Sequence, residues 1–497
     1  MKTEQTEKTL GVAERAEIQA MYLADHLPWV IGYSGGKDST AVVRLVFEAI
    51  RDLPVEKRAK PIFIVSSDTL VETPIVVDLV GETMGRIQVA AAASEIPISV
   101  AQVTPETSET FWVNLIGRGY PAPTKTFRWC TERMKIDPVS EFIKEKVAQY
   151  GEVVVVLGSR SSESSSRAQV MKNHRIEGRR LSRHTTLVNA FVYTPIETWS
   201  ADDVWEFLFS GPAPWGGDHQ RLFELYKDSN AGECPLVIDK STPSCGNSRF
   251  GCWVCTVVTQ DRAIDGLIQS GHTWMVPLKE FRNQLYETTL PENKHAVRQE
   301  RRRDGRVTVV LDSHGNEKHI PGAYRMSVRQ DFLRKLLVTQ RRINEGNPTA
   351  KVTLITQDEL EEIRTQWRND PNEPDWQDSV PRIFEEVLGA GGEWQHRDDV
   401  LFGASDALLL SQLSEASGLS GELPKKLIEF EMSMDGLSKR SQVFQKLNQL
   451  LSLDWEATDQ AIGRRSAEGV RIRDRDEQEK ALQSRYESLA KMLEHDS

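Results

Sequence analysis

An apolar run, Trp29-Val30-Ile31-Gly32-Tyr33, breaks into Ser34-Gly35-Gly36-Lys37-Asp38-Ser39-Thr40 and resumes as an apolar-periodic stretch over 41–50. That order reads as strand, tight glycine turn, helix, and it commits this part of the chain to an α/β layer arrangement. Two adjacent glycines let the backbone turn through positive φ and aim several N–H groups at one spot. A helix starting at Asp38 or Ser39 adds its free N-terminal amides. The product is an anion cradle suited to pyrophosphate, with Lys37 countering the charge. It is not the Walker A loop, G-x-x-x-x-G-K-[ST], because here the glycines are adjacent and Asp38 follows the lysine.

The α/β signal continues. Pro61-Ile62-Phe63-Ile64-Val65 reads as a strand ending in Ser66-Ser67-Asp68-Thr69 and leading into a helix over 74–93; a short strand spans 98–103, and Val153-Val154-Val155-Val156-Leu157 is the strongest of all. Continuous β-branched runs alternating with helices predict a doubly wound parallel sheet covered on both faces. Ligands in such sheets bind beyond the carboxyl ends of the strands, where the polar clusters at 34–40, 66–73 and 158–167 stand. Arg160 and Arg167 in the last cluster suit phosphate oxygens, because a guanidinium forks onto them. Asp38 and Asp68 are candidates to hold Mg²⁺ or orient a ribose, and equally to cap helices.

Five cysteines are too few and too clustered for a secreted disulfide framework. Cys234, Cys245, Cys252 and Cys255 follow C-x10-C-x6-C-x2-C within a stretch broken by Pro235, Pro243, Gly246 and Gly251. Four thiolates converging from an irregular segment need a cation, either zinc or an iron–sulfur cluster, and the spacing alone does not choose. Cys130 stands apart, with Arg128, Arg133 and Lys135 close by in sequence; neighbouring cations predict a lowered thiol pKa and a nucleophilic or sulfur-carrying role, against the alternative of a buried structural cysteine.

A chain of 497 residues has room for several domains. The expected division is 1–230 for the nucleotide-binding part, 231–350 for the cysteine-cluster and basic region, and 351–497 for a helical C-terminal region, whose first helix carries a Thr356/Glu359 capping box. A hairpin is expected over 306–320. A net charge of −11 argues against a protein that coats nucleic acid all over, but the charge is uneven: residues 282–342 carry 14 Lys/Arg against 7 Asp/Glu. Within them a helix from about Ser327 places Arg334, Arg341 and Arg342 near one face, where a phosphate backbone could lie. No run approaches 18 apolar residues and the first thirty residues lack an apolar leader, so no membrane contact and a cytoplasmic location are expected.

Four motifs together, S-G-G-x-D-S at 34–39, Asp68 with Glu72-Thr73-Pro74, R-x-C-x-x-x-x-K at 128–135 and G-x-R-x-x-E-S-x-x-R at 158–167, resemble the phosphoadenylylsulfate (PAPS) reductase group of adenine-nucleotide α-hydrolases, the PP-loop type, over about residues 28–210. The cysteine loop, basic middle and helical C-terminal region look most like the DndC family of DNA phosphorothioation proteins. That resemblance implies ATP pyrophosphatase activity using ATP and Mg²⁺, with Ser34 through Thr40, Asp68, Arg160 and Arg167 on the nucleotide and Lys37, Asp38, Cys130 and Arg160 in catalysis. It also implies a [4Fe–4S] cluster on Cys234, Cys245, Cys252 and Cys255, DNA as acceptor of sulfur, and partnership with a cysteine desulfurase and with DndD and DndE. Iron–sulfur reductases of adenylylated sulfate carry an adjacent Cys-Cys pair; here no two cysteines are adjacent and none follows Cys255. A sulfonucleotide reductase, a tRNA thiolation enzyme and a non-catalytic ATP-binding scaffold remain as alternatives.

Overall fold

The computed structural model describes residues 10–163, 169, 174, 176, 180–229, 251–311, 316–346, 351–370, 372–389, 392–395 and parts of 404–468. Cys234, Cys245 and Arg167 lie outside the described residues. The chain divides into two compact units, each assembled from separate segments: residues 1–114, 122–289 and 335–359 in the first, and 115–121, 290–334 and 360–497 in the second.

The first unit is built on a six-stranded sheet in the order β3-β2-β1-β4-β6-β5. Its strands are β1 (Trp29–Gly32), β2 (Ile62–Ser67), β3 (Ile98–Val103), β4 (Val153–Val156), β5 (Ser182–Arg183) and β6 (Ala190–Tyr193). All neighbours pair in parallel except the short β5, which runs antiparallel to β6 at the edge. Trp29 stands level with Ile62 on one side and Val154 on the other. Period-2 alternation divides the strands between two apolar layers: Trp29, Ile31, Ile62, Ile64, Val154 and Val156 face one, and Val30, Val65, Val153 and Val155 the other. Both layers are dry, which is why these strands are unbroken apolar runs rather than alternating ones.

Helices α1 (Val12–Leu23), α2 (Lys37–Arg51) and α3 (Pro74–Ala93) contribute Ile18, Leu45, Phe47 and Met84 to the first layer. The short α4 (Trp129–Thr131) runs through a π-helical turn, Glu132–Ile136, into α5 (Asp137–Tyr150), whose Val139 and Ile143 fill the second layer. The order of strands reverses between β1 and β4. A parallel sheet opens a crevice beyond its carboxyl edge at such a point, and here the loops after β1 and β4 flank it.

In the second unit a hairpin of β7 (Val309–Leu311) and β8 (Glu317–His319) answers the expected one. Arg329 is fully buried, giving hydrogen bonds to the Gly117 carbonyl and to Asp370 at 2.8 Å each, and the Trp367 indole N–H donates to the Ile116 carbonyl. Among the described residues no helix is long and apolar enough to cross a membrane.

Candidate functional site

The glycine turn takes the shape its sequence dictates. Gly35 sits at φ +72°, and a Cβ there would lie 2.4 Å from Val80 of α3, so neither the dihedral nor the space admits a side chain. Helix α2 begins at Lys37, one residue earlier than its sequence suggests, with Gly36 extended at the N-cap and no side-chain cap over the first turn. Ser39 Oγ folds back to accept the Ser34 N–H at 3.2 Å, and Thr40 Oγ1 donates to the Gly36 carbonyl at 2.9 Å. These bonds lock the turn from inside.

Two cations are driven into this place. Lys37 and Arg160 are each only 2 % exposed. Asp38 bridges them: its Oδ2 takes Lys37 Nζ at 3.1 Å and its Oδ1 takes Arg160 Nε at 2.6 Å. Arg160 reaches across because Gly158, just beyond β4, lets the backbone pass 2.9 Å (from its would-be Cβ) to the Asp38 carbonyl. Two cations thus gather at a helix N-terminus, the setting that favours a polyanion. Asp38 therefore orients cations.

A cleft opens from the turn, walled by Ser34, Gly35, Gly36 and Tyr226 at one end and by Asp68, Glu72, Lys135 and Gly251 at the other. Burial raises the pKa of Asp68, opposed by the Leu70 amide and reinforced by the charge of Glu72. Glu72 Oε1 collects Thr69 Oγ1 at 3.0 Å and Lys135 Nζ at 3.2 Å.

The second half of the site is a cysteine turn joined to that rim. Thr73 N–H donates to the Gly251 carbonyl at 3.1 Å and Trp253 N–H to the Val71 carbonyl at 3.0 Å, so residues 251–253 form a bridge against 71–73. Cys255 N–H closes the turn on the Cys252 carbonyl at 3.1 Å. Trp253, buried between the two cysteines, packs on Trp112 at 5.8 Å and Phe281 at 5.9 Å between ring centres. Arg282, also buried, donates to the carbonyls of Cys255, Val258 and Thr259 and fastens the turn from below.

Cys130 belongs with this turn, and the sequence expectation of a lowered thiol pKa fails. Burial, aided by the charge of Cys255, pushes Cys130 up to about 11, and Arg128 and Lys135 only partly oppose it. Cys252 is raised well above its ordinary value by burial and by Glu72. Charges near in sequence were visible beforehand; the depth of the thiol was not. Cys130, Cys252 and Cys255 are free thiols that feel one another electrostatically. Among the described residues no three His, Cys, Asp or Glu side chains close into a metal-holding group. Half-buried thiols near one another, with Lys135 beside them, nevertheless suit a soft cation, so the residues fit an iron–sulfur or zinc centre.

Several arginines of the basic stretch make contacts within the protein. Arg298 is buried on the carbonyls of Gly322 and Pro321, Arg303 holds the Arg118 carbonyl, and Arg325 holds those of Arg298 and His295. On the helix Met326–Gly346, Arg334 pairs with Glu386, Arg341 with Glu345 and Arg342 with Glu280. The arginines of the expected phosphate-binding stripe, Arg334, Arg341 and Arg342, lie at the surface, each beside a carboxylate.

The sequence carried no signal for Tyr226 or Arg282, whose partners lie 189 and 27 residues away. With the sheet, the turn and the Lys37–Asp38–Arg160 bridge in view, the comparisons have a physical counterpart. Residues 28–257 match the phosphoadenosine phosphosulfate reductase domain. The matched stretch spans the sheet, the cleft and the C-x2-C turn. Two uncharacterised proteins of Methanocaldococcus jannaschii are similar: MJ0066, 27 % identical over 197 residues (40 % of this chain, 34 % of that protein), and MJ0973, 29 % identical over 226 residues (45 % and 40 %). The chain thus spans well under half the length of these relatives. Among solved structures, similarity extends to the PAPS reductase of Candida auris in a phosphate complex (14 % identity, 39 % of this chain and 77 % of that one, TM-score 0.26). It extends also to the U34-tRNA thiolase NcsA of Methanococcus maripaludis with its [4Fe–4S] cluster (14 %, 56 % and 79 %, TM-score 0.25).

Proposed function

We propose that this chain is an ATP pyrophosphatase that activates a phosphate oxygen of the DNA backbone by adenylylation so that sulfur can replace it. The observation that carries the reading is the pair of buried cations, Lys37 and Arg160, held by one carboxylate at the mouth of the glycine turn. A triphosphate tail laid on residues 34–40 meets the amides of the turn and the Lys37 ammonium, while Arg160 faces the reacting phosphates. Mg²⁺ accompanying the nucleotide has Asp68 within the same cleft as a ligand candidate. The acceptor oxygen attacks the α-phosphorus; the new P–O bond forms as the bond to the β-phosphate oxygen breaks, and pyrophosphate leaves. Nucleophilic sulfur then attacks the adenylylated backbone phosphorus, forming P–S while AMP departs with the original oxygen. The enzyme's share is positioning and electrostatic stabilisation of the charge that builds on the leaving group.

In this reading Cys234, Cys245, Cys252 and Cys255 would supply the four thiolates of a [4Fe–4S] cluster, which would serve sulfur handling or electron supply. Cys130 stands beside that group, within the electrostatic reach of Cys255, where it could pass sulfur to the acceptor. DNA, a cysteine desulfurase and sister Dnd proteins as partners rest on the resemblance of the motif set. The match to the PAPS reductase domain favours one second reading, a sulfonucleotide reductase. Pyrophosphate release from ATP, assayed with anaerobically purified protein and duplex DNA, tRNA or adenylylated sulfate as co-substrate, decides among them. Stimulation by duplex DNA alone supports the proposal, and reduction of a nucleotide sulfate without ATP cleavage overturns it.

A further inference from the structure

We propose that Tyr226 is a phosphate surrogate: its hydroxyl holds a backbone amide of the glycine turn that a phosphate oxygen must take, and nucleotide binds by displacing it. The inference rests on the pyrophosphate reading of residues 34–40 and adds to it a residue that no motif contains.

The Lys37 N–H, at the first position of α2, donates to Tyr226 Oη at 3.2 Å. The same hydroxyl lies 3.1 Å from where a Cβ on Gly36 would stand, so it occupies the concave side of the turn rather than its rim. Lys37 Nζ lies 5.6 Å from the centre of the Tyr226 ring, a cation over a π face. The neighbouring Gly36 N–H is likewise taken by a hydroxyl, Ser34 Oγ at 3.4 Å. Two amides of the anion cradle are thus satisfied by neutral oxygens, as buried donors require.

The placement of Tyr226 is set by packing. It stands on the helix Gln220–Ser229, edge-on to Trp205 at 5.2 Å, and Trp205 is in turn wedged against Phe209 and Phe223. Leu222 and Leu225 of that helix line the same cleft. A phosphate oxygen accepts from an amide about twice as strongly as a neutral hydroxyl does, so the exchange favours the ligand while the lost Tyr226 bond lowers the net affinity. The helix then registers whether a phosphate tail is present. A mononucleotide, which lacks the β and γ phosphates, leaves the bond intact.

The test is calorimetric titration of the full-length protein with inorganic pyrophosphate, ATP and AMP. Tyr226→Phe keeps the ring and removes the acceptor; pyrophosphate and ATP should bind about threefold to tenfold more tightly, and AMP should be unchanged. Tyr226→Leu, which keeps an apolar wall, should reproduce that order. Unchanged or weaker pyrophosphate binding by both variants overturns the inference while leaving the nucleotide reading intact if wild type binds ATP. An equal gain for AMP overturns it too, by showing a general loosening of the cleft. If neither wild type nor variants bind pyrophosphate or ATP, the reading of the turn fails and the inference with it.

Discussion

Lys37 and Arg160 beside the glycine turn, and Arg298 and Arg329 in the second unit, are all buried cations, with Arg303 half-buried near the latter pair, yet they are used in different ways. The first two meet on the Asp38 carboxylate beside the glycine turn. The others are consumed within the fold: Arg298 and Arg303 hold backbone carbonyls, and Arg329 takes both a carbonyl and Asp370. Burial works to raise the Asp370 pKa, but Arg329 and the amides of Glu373 and Asn372 outweigh it and hold the carboxyl below its ordinary value. A count of positive residues along a sequence therefore does not locate an anion site; what points to one is cations gathered beside a glycine turn at a helix N-terminus.

The sharpest way to break this comparison is to exchange the outcomes. Arg329→Met leaves Asp370 buried without its partner and should cost about 3–5 kcal/mol of stability, read as a lowered urea midpoint. If pyrophosphate release falls in proportion while the midpoint holds, Arg329 is not structural. Lys37→Met is the mirror case: the midpoint should hold while pyrophosphate release drops by about 10²–10³, the loss typical of one preorganised electrostatic contact. A stable Lys37 variant with full turnover defeats the assignment of the turn.

A pH scan sharpens the same contrast. His219 is kept neutral chiefly by burial, and then by the nearby Arg44, which together lower its pKa from the usual 6.5 to about 4. Its folded pKa lies below its unfolded one, so the unfolded state binds the proton first. Stability is whole above pH ~6.5 and falls as pH drops toward 4, by about 3 kcal/mol at most on a 1.4 kcal/mol per unit scale. His219→Gln should flatten that part of the profile in denaturant titrations. The smallest effect is expected at the surface. Replacing Arg334 and Arg342 with Gln should alter duplex DNA affinity within about twofold, because both guanidiniums are already paired with carboxylates. A tenfold loss with a reduced salt slope would return the basic stretch to the role its sequence suggested.

Much of the first unit is legible because its determinants are local. β4 is four valines because both its faces are dry, and Gly35 is glycine because φ is positive against Val80. The Thr356/Glu359 box is present, with Thr356 N–H on Glu359 Oε2 at 2.9 Å and Glu359 N–H on Thr356 Oγ1 at 3.2 Å. Ser200 likewise caps its helix by accepting from the Asp203 N–H. Cys130 was misread for the converse reason: its cations are sequence neighbours, whereas the desolvation that overrides them comes from residues scattered along the chain. Arg282 looks like any surface arginine of an amphipathic helix until the carbonyls of residues 255–259 are seen to converge on it.

By itself the sequence determined the period of the strands, the turn that only glycine can make and the residue types gathered at the sheet's edge, because backbone sterics and the alternation of buried faces act between neighbours. Only the tertiary structure decided which cations gather at the glycine turn, how desolvation acts on the Cys130 thiol and that Tyr226 meets the Lys37 amide, because solvation and charge pairing depend on groups brought together from distant parts of the chain.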